Sequence, residues 1–212
     1  NGDVIAGLDA GLVVLQHDHN HDGLIRRSDG DHIYLYGGMR RGGRHVYGWD
    51  VTDPAAPALL FDLSPHSDGF NALGFTWSTP LLTRLWIPGH AQPETVLVFG
   101  GGYDSRQEVS PGGLSDACVE TVVPCAAAIY VVQATGRDAG ALLWTLDRDV
   151  GQNHHTRVAE LRAPVTAPLR ALDLDGNGVS DILYALDLEG TLFRVQLPQN
   201  AEGTTLPAHM VA

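Results

Sequence analysis

Short stretches of alternating or continuous hydrophobic residues, separated by glycine-rich and proline-containing turns, run along most of the chain. Alternation with a period of two is typical of β-strands, and short apolar runs bounded by turn residues predict strands as well. The clearest stretches are 32–36, 45–51, 57–63, 95–99, 128–134, 141–146, 182–186 and 191–197. We therefore predict an almost wholly β protein made of many short strands.

These strands recur as a unit: a strand, a glycine-rich turn, a second strand that ends in a small or acidic residue, another turn and a third strand. Copies of the unit cover 32–63, 95–146 and 181–197, and the second copy contains an insertion at 105–127. Repeats of this kind bury their faces by stacking on their neighbours, as the blades of a β-propeller do. The pattern predicts an all-β fold, a modified β-propeller with quinoprotein-like blades.

The length limits the size of such a propeller. At about 40–45 residues per blade, 212 residues hold at most about five blades. We therefore expect residues 1–212 to form either a single propeller domain with a truncated ring or a fragment of a larger ring. The chain also starts abruptly at Asn1 without a signal peptide, and we expect it to be an excised piece of a longer protein.

Composition excludes some classes of partner. The 13 basic residues against 25 acidic ones give a formal charge of −12, and such a protein is a poor ligand for nucleic acid or an anionic membrane. No apolar run reaches 18 residues, so no membrane-spanning segment is predicted. The 25 glycines and 12 prolines favour turns over long helices.

The loop at residues 173–181 is the strongest candidate for a metal site. Oxygen ligands alternate along it: Asp173, Asp175, Asn177, the Val179 carbonyl and Asp181, which closes the loop. Ca²⁺ takes six to eight oxygen ligands in a tolerant geometry, and Gly176 and Gly178 allow the tight backbone curl. The alternative is a metal-free Asp/Gly-rich turn, and calcium is favoured over it because aspartates this dense repel one another without a cation.

A second candidate metal loop lies at residues 17–29. It fits a twelve-residue calcium pattern with ligands at Asp18, Asn20, Asp22, Leu24 through its carbonyl, and Asp29 in the closing place. Two other interpretations stay open. His17, His19 and His21 could bind a transition metal, or the segment could be a solvated polar loop.

The two cysteines, Cys118 and Cys125, both lie in the insertion at 105–127. A disulfide between them is favoured over a zinc site, because no neighbouring histidine supplies further zinc ligands. A disulfide would indicate an oxidising compartment. Three aromatic residues, Phe75, Trp77 and Tyr103, could form a ligand platform, but we expect them to pack in the core and between blades.

Several motifs together resemble the C-terminal domain of PilY-type type IV pilus proteins. They are Gly-Met-Arg-Arg-Gly-Gly-Arg at 38–44, Tyr-Gly-Trp-Asp-Val-Thr-Asp-Pro at 47–54, Thr-Trp-Ser-Thr-Pro at 76–80 and Phe-Gly-Gly-Gly-Tyr-Asp at 99–104. The order continues through 129–131, 143–144, the loop 173–181 and 192–195, so the resemblance covers most of residues 30–197. Asn177 stands where the family more often has Asp.

The resemblance implies a modified β-propeller that binds calcium through the 173–181 loop and acts, without catalysis, at the tip of a type IV pilus. Its expected roles are pilus assembly, retraction control and adhesion. Expected partners are pilin or minor pilin subunits and a host or abiotic surface. The expected location is the cell surface, reached by export through the periplasm.

Two other functions compete with this one. The blades also resemble those of quinoprotein dehydrogenases, but a ring that encloses a quinone needs far more chain. No nucleophile elbow, paired catalytic carboxylates or convincing triad appears in the sequence. The other alternative is a structural propeller for protein docking, in which calcium only stabilises the fold.

Overall fold

The computed structural model describes residues 7–104, 126–148, 154–202 and 208–211, the side chains of 208–210 excepted. The described residues contain no α-helix, only strands and two short 3-10 turns at Arg27–Asp29 and Arg40–Gly42. The prediction of an all-β chain is confirmed. No helix in this part of the chain is long and apolar enough to cross a membrane.

Thirteen strands are described, and they form three separate sheets. The first sheet contains β1 (Val13–His17), β2 (His32–Gly38), β3 (Val46–Asp50) and β4 (Ala58–Leu63). The second contains β5 (Leu81–Leu85), β6 (Glu94–Gly100), β7 (Ala128–Gln133), β8 (Leu142–Asp147) and β9 (His155–Arg157). The third contains β10 (Arg170–Leu172), β11 (Ile182–Leu186), β12 (Leu192–Gln196) and β13 (Ala208–Met210).

Each sheet is a meander of sequential antiparallel strands, and only the β8–β9 pair is parallel. The three predicted repeat units therefore correspond to the three sheets. The first and second sheets also share a register shift at the same place between their third and fourth strands, where Leu60 of β4 and Leu143 of β8 are the extra residues.

The second sheet is buried on both of its faces. Along β6, Val96 and Val98 point into one hydrophobic core, and Leu97 and Phe99 point into another. The first core also contains Phe193 and neighbouring residues of the third sheet, and the second contains tyrosines of the first sheet. The alternation of side chains across a strand thus lets one sheet pack between two others.

The outer face of the first sheet carries a row of apolar side chains. Within the described residues, no further layer packs over this row. Val14, Leu35, Trp49 and Leu59 pair in register across the four strands. Val14 is 56% exposed and Leu59 58% exposed, whereas the corresponding faces of the second sheet are buried. The first sheet therefore exposes part of an apolar row on this face.

Residues 71–80 loop between the sheets, with a single isolated bridge between Phe75 and Tyr103, and lead into Leu81–Leu85, the first strand of the second sheet. The insertion with Cys118 and Cys125 lies almost wholly outside the described residues, so its disulfide stays a prediction.

Candidate functional site

The acidic loop, residues 173–181, connects the first two strands of the third sheet. β10 ends at Leu172 and β11 begins at Ile182, and the two strands pair antiparallel with Leu172 opposite Ile182. A hairpin therefore holds both ends of the loop, and the backbone N–H of Asp181 donates to the carbonyl of Leu172 at 2.7 Å. The predicted hairpin after the loop is also present as β11 and β12.

Hydrogen bonds from the backbone shape the loop around its side-chain oxygens. Asp173 accepts from the N–H groups of Gly176 at 2.7 Å and Gly178 at 2.8 Å. Asp175 accepts from the N–H of Asn177 at 3.1 Å, and Asn177 accepts from the N–H of Val179 at 2.7 Å.

The glycines have the role that the sequence predicted. Gly176 and Gly178 have φ angles of +76° and +82°, in the left-handed region that other residues enter only at a cost. The chain can therefore reverse direction twice within a few residues. This curl is what directs the alternating oxygens to one side.

Three carboxylates converge in this loop. One oxygen from each of Asp173, Asp175 and Asp181 lies within 4.8 Å of the other two. Two oxygens bound to the same Ca²⁺ lie no more than about 5 Å apart, because each bond is about 2.3–2.6 Å long. Among the described residues, no other group of three or more acidic, histidine or cysteine side chains meets this condition. The arrangement could hold a metal ion.

Backbone hydrogen bonds favour the ionised form of Asp173. The N–H of Gly178, supported by that of Gly176, holds the pKa of the Asp173 carboxyl below its usual value. Asp173 and Asp175 are exposed and open to an ion from solvent, whereas Asp181 is buried and accepts the N–H of Leu174. The buried Asp181 carboxylate lies at the inner end of the site, and the exposed Asp173 and Asp175 carboxylates lie at its opening.

The loop is also attached to the neighbouring sheet. The N–H of Ser180 donates to the carbonyl of Arg84 on β5 at 2.9 Å, and the Ser180 and Thr83 hydroxyls are hydrogen-bonded at 2.7 Å. The sequence pattern gave no sign of this contact. An ion in the loop would therefore act at the junction of the second and third sheets.

The first candidate loop lies between β1 and β2 and has similar turns. Asp18 accepts the N–H of Gly23 at 2.8 Å, Asn20 that of Asp22 at 3.0 Å, and Asp22 that of Leu24 at 2.8 Å. These carboxylates do not meet the three-oxygen condition that the 173–181 loop meets. The secondary calcium site therefore stays a prediction.

A carboxylate outside the predicted ligand set holds the first loop together. Asp29 is hydrogen-bonded by Ser28 and lies 3.3 Å from the Arg26 guanidinium. Asp31 instead ties the loop together, since it accepts the N–H of His19 and the N–H of Arg26, both at 2.8 Å. These bonds hold the pKa of Asp31 below its usual value. Sequence reasoning missed Asp31, although it directly precedes β2 as Asp181 precedes β11.

The three histidines do not lie together on a strand. His17 ends β1, whereas His19 and His21 lie in the loop, and His21 has a left-handed φ of +58°. The rings of His17 and His19 are 6.0 Å apart between centroids, at an angle of 45°. Among the described residues no group of three candidate metal ligands includes any of these histidines, so the transition-metal alternative gains no support.

The chain is similar to known proteins of the type IV pilus. It is 29% identical over 167 residues to the type IV pilus biogenesis factor PilY1 of Pseudomonas aeruginosa, which is 78% of this chain and 11% of that protein. It is 26% identical over 166 residues to a PilY1 homolog of Xylella fastidiosa, which is 77% of this chain and 10% of that protein. The chain thus spans about a tenth of the length of these curated relatives. No family model matches it.

A solved structure supports the fold. The crystal structure of the Pseudomonas aeruginosa PilY1 C-terminal domain superposes on 90% of this chain with a TM-score of 0.58 and 24% sequence identity, and the match covers 30% of that chain. The resemblance to the C-terminal domain of PilY-type proteins, expected from the sequence motifs, is confirmed by these matches.

Proposed function

We propose that this chain is a calcium-binding, β-propeller-type module of a type IV pilus tip-associated protein. It acts in pilus assembly, retraction control and surface adhesion, and it has no catalytic role. The observation that carries the proposal is the convergence of Asp173, Asp175 and Asp181 in a chain similar to type IV pilus biogenesis factors. Pilin or minor pilin subunits and a host or abiotic surface are its proposed partners, met at the cell surface after export through the periplasm.

Calcium is the proposed ion because of the chemistry of the donors. All the side-chain candidates offer oxygen, none offers nitrogen or sulfur as a ligand, and two of the carboxylates are exposed on a loop. Hard oxygen donors suit Ca²⁺ or Mg²⁺, and a flexible loop suits the larger ion, which tolerates irregular geometry. The Asn177 side chain and the Val179 carbonyl complete the proposed ligand set.

The proposed role of the ion follows from the position of the loop. Binding would neutralise three clustered carboxylates and stiffen the β10–β11 connection. Because Ser180 hydrogen-bonds to Thr83 and Arg84, the stiffened loop would hold the third sheet against the second. Calcium would then regulate the presentation of the whole module to its partners.

The propeller arrangement is part of the proposal. Three similar sheets stack in chain order, and the uncovered row of Val14, Leu35, Trp49 and Leu59 offers the first sheet a further stacking face. The solved domain that superposes on this chain is about three times as long as the matched part. Both observations are consistent with a propeller-type arrangement that is larger in the solved relative.

Metal analysis tests the calcium assignment. The purified protein is dialysed against trace calcium and magnesium together and then analysed by mass spectrometry. We expect calcium to be bound, and we expect only a strong chelator to remove it. Zinc, or no metal, would contradict the assignment. A spectrum with the near-ultraviolet absorption of a quinone would instead support the dehydrogenase alternative.

A cellular experiment tests the pilus role. Replacing Asp175 by Ala in the chromosomal gene is expected to alter surface piliation or twitching motility while protein abundance stays constant, with Asp53→Ala in an exposed turn as the control. A variant that loses calcium yet leaves pilus behaviour unchanged would reduce the site to a structural role.

A further inference from the structure

A second site, distinct from the acidic loop, lies where turns of all three sheets meet. A cavity of about 550 Å³ opens there, within the range of small-ligand sites. Its described lining residues are Arg41, Phe75, Trp77, Tyr103, Thr166 and Leu188. Leu188 follows β11 whereas the acidic loop precedes it, so the two sites lie at opposite ends of this strand, about 16 Å apart by the rise of its five residues.

The aromatic residues of the cavity are held by backbone bonds and not by core packing. Phe75 and Tyr103 form an isolated antiparallel bridge, with N–H to carbonyl distances of 2.7 and 2.8 Å. The N–H of Trp77 donates to the Phe75 carbonyl at 2.8 Å. None of the three belongs to either hydrophobic core, so the expectation of core packing is wrong. Phe75 and Trp77 lie in the connection between the first and second sheets, and packing between blades stays a prediction.

Basic side chains surround these rings. The Arg40 guanidinium carbon lies 5.5 Å from the centre of the Trp77 ring, and that of Arg44 lies 5.2 Å from the centre of the Phe75 ring. Both distances suit cation–π interactions, which place positive charge against the aromatic platform. Three arginines within five residues are a marked concentration in a chain with only 13 basic side chains and a net charge of −12.

Little within the described part of the chain neutralises this charge. No described lining residue of the cavity is acidic. Arg41 meets only the Asp9 carboxylate at 4.0 Å, and the two side chains are 74% and 49% exposed, so the pair is weak. The Arg40 Nε atom is buried without a hydrogen-bond partner. Arg40 also has a left-handed φ of +49°, a strained conformation that is common at binding sites.

We propose that this cavity binds a short acidic peptide segment of a partner protein. An apolar or aromatic side chain of the peptide would lie against Trp77 and Phe75, and a neighbouring carboxylate would pair with Arg41. Charge complementarity supports an anionic ligand, and Arg is suited to bind a carboxylate with two parallel hydrogen bonds. The proposal does not depend on calcium or on the pilus role, because the cavity uses none of the residues of the acidic loop.

A peptide fits the cavity better than an acidic sugar does. A sugar ring carries several hydroxyls, and each buried hydroxyl without a partner destabilises the complex. Only Thr166 and Tyr103 carry hydroxyls among the described lining residues, and the other lining side chains are apolar apart from Arg41 and the indole N–H of Trp77. An apolar side chain with one adjacent carboxylate needs fewer hydrogen-bond partners.

Binding of three matched peptides to the purified protein tests this proposal. The probes are acetyl-Ala-Asp-Phe-Asp-Ala-amide, its Asn-for-Asp counterpart and its Ala-for-Phe counterpart, measured by calorimetry and tryptophan fluorescence. The first is expected to bind at least about tenfold more tightly than either of the others, and its affinity should fall as salt is added. Equal affinities for all three peptides, or no measurable binding of the first, would overturn the proposal.

Matched variants locate the binding. Arg41→Gln is expected to weaken binding of the acidic peptide about tenfold and to remove the preference for Asp over Asn. Arg84→Gln, which removes an exposed positive charge outside the cavity, should leave the affinity unchanged. Equal losses of peptide affinity in the two variants would show nonspecific charge attraction and would overturn the assignment. Binding of a galacturonate oligomer, without binding of the peptides, would overturn it as well. Circular dichroism checks that both variants fold.

Discussion

The loops at 18–31 and 173–181 occupy the same place in their sheets and have nearly the same internal turns. Each connects the first strand of a sheet to the second. In each, the first aspartate accepts the N–H of a glycine five residues later, at 2.8 Å in both Asp18–Gly23 and Asp173–Gly178. In each, the carboxylate just before the second strand, Asp31 or Asp181, accepts the N–H of the residue after the first aspartate.

The difference lies in what stands eight residues after the first aspartate. In the second loop this residue is Asp181, whose carboxylate joins the cluster. In the first loop it is Arg26, whose guanidinium pairs with Asp22 at 2.9 Å and with Asp29 at 3.3 Å. Closure by Asp31 therefore requires five more residues. The same arrangement of turns can thus surround either a cation from solvent or a positively charged side chain of the same loop.

The largest expected effect comes from removing the first aspartate of each loop. Calcium that binds only the folded state stabilises it by about 2.7 kcal/mol at a hundredfold excess over Kd, and for a chain of this size each kcal/mol raises the Tm by about 2–4 °C. Asp173→Ala should lose this response, whereas Asp18→Ala should keep most of it. Scanning calorimetry with calcium or chelator measures both, and a calcium response that survives Asp173→Ala but not Asp18→Ala would reverse the ranking of the loops.

A smaller effect is expected from removing the internal cation of the first loop. Arg26→Gln leaves Asp22 and Asp29 uncompensated, so affinity for calcium at this loop should rise about tenfold, from weak to readily measured. Arg162→Gln is the control, because it makes the same charge change at an exposed position outside both loops. Calorimetric titration should find a second calcium per chain in the Arg26 variant. An unchanged stoichiometry and affinity would show that Arg26 does not take the place of an ion.

Local patterns account for the parts that sequence reasoning predicted. A continuous apolar run predicts a strand such as β6, and alternation of apolar residues predicts one such as β12. A dense Asp/Gly spacing is enough to predict the 173–181 loop. These features depend on residues a few positions apart, where backbone geometry limits the possible arrangements.

Features that depend on distant residues could not be predicted in this way. Asp31 closes the first loop from outside the twelve-residue pattern, and Ser180 reaches Thr83, 97 positions away. Trp77 and Phe75 look like core residues because they are large and apolar. Only the folded chain shows that a bridge to Tyr103 places them around a cavity.

Glycine substitutions compare the backbone demands of the two loops. Gly178 and Gly23 have φ angles of +82° and +77°, and an added Cβ would meet no atom within 4 Å at either position. Each change to Ala should therefore lower the free energy of unfolding by about 1–2 kcal/mol through backbone strain alone. Denaturant unfolding in chelator should give equal losses. In the presence of calcium, Gly178→Ala should lower the free energy of unfolding more than Gly23→Ala does. Equal losses of stability in calcium would show that the second loop tolerates distortion while it binds the ion.

The smallest expected effect concerns the attachment of the second loop to the neighbouring sheet. Ser180 is buried and its hydroxyl bonds to that of Thr83 at 2.7 Å, whereas Ser28 in the first loop is exposed and bonds only to adjacent Asp29. Ser180→Ala should lower the free energy of unfolding by about 1 kcal/mol, since Thr83 then lacks its partner, and Ser28→Ala by less than about 0.5 kcal/mol.

Combining Ser180→Ala with Asp173→Ala shows whether the ion acts across the two sheets. If calcium stiffens the loop against β5, the loss caused by Ser180→Ala should be larger in calcium than in chelator, and this excess should vanish in the Asp173→Ala background. Denaturant unfolding of the four proteins in both conditions gives the coupling free energy. Strict additivity would mean that the ion stabilises only its own hairpin, and the calcium-regulated contact between the second and third sheets would then have to be abandoned.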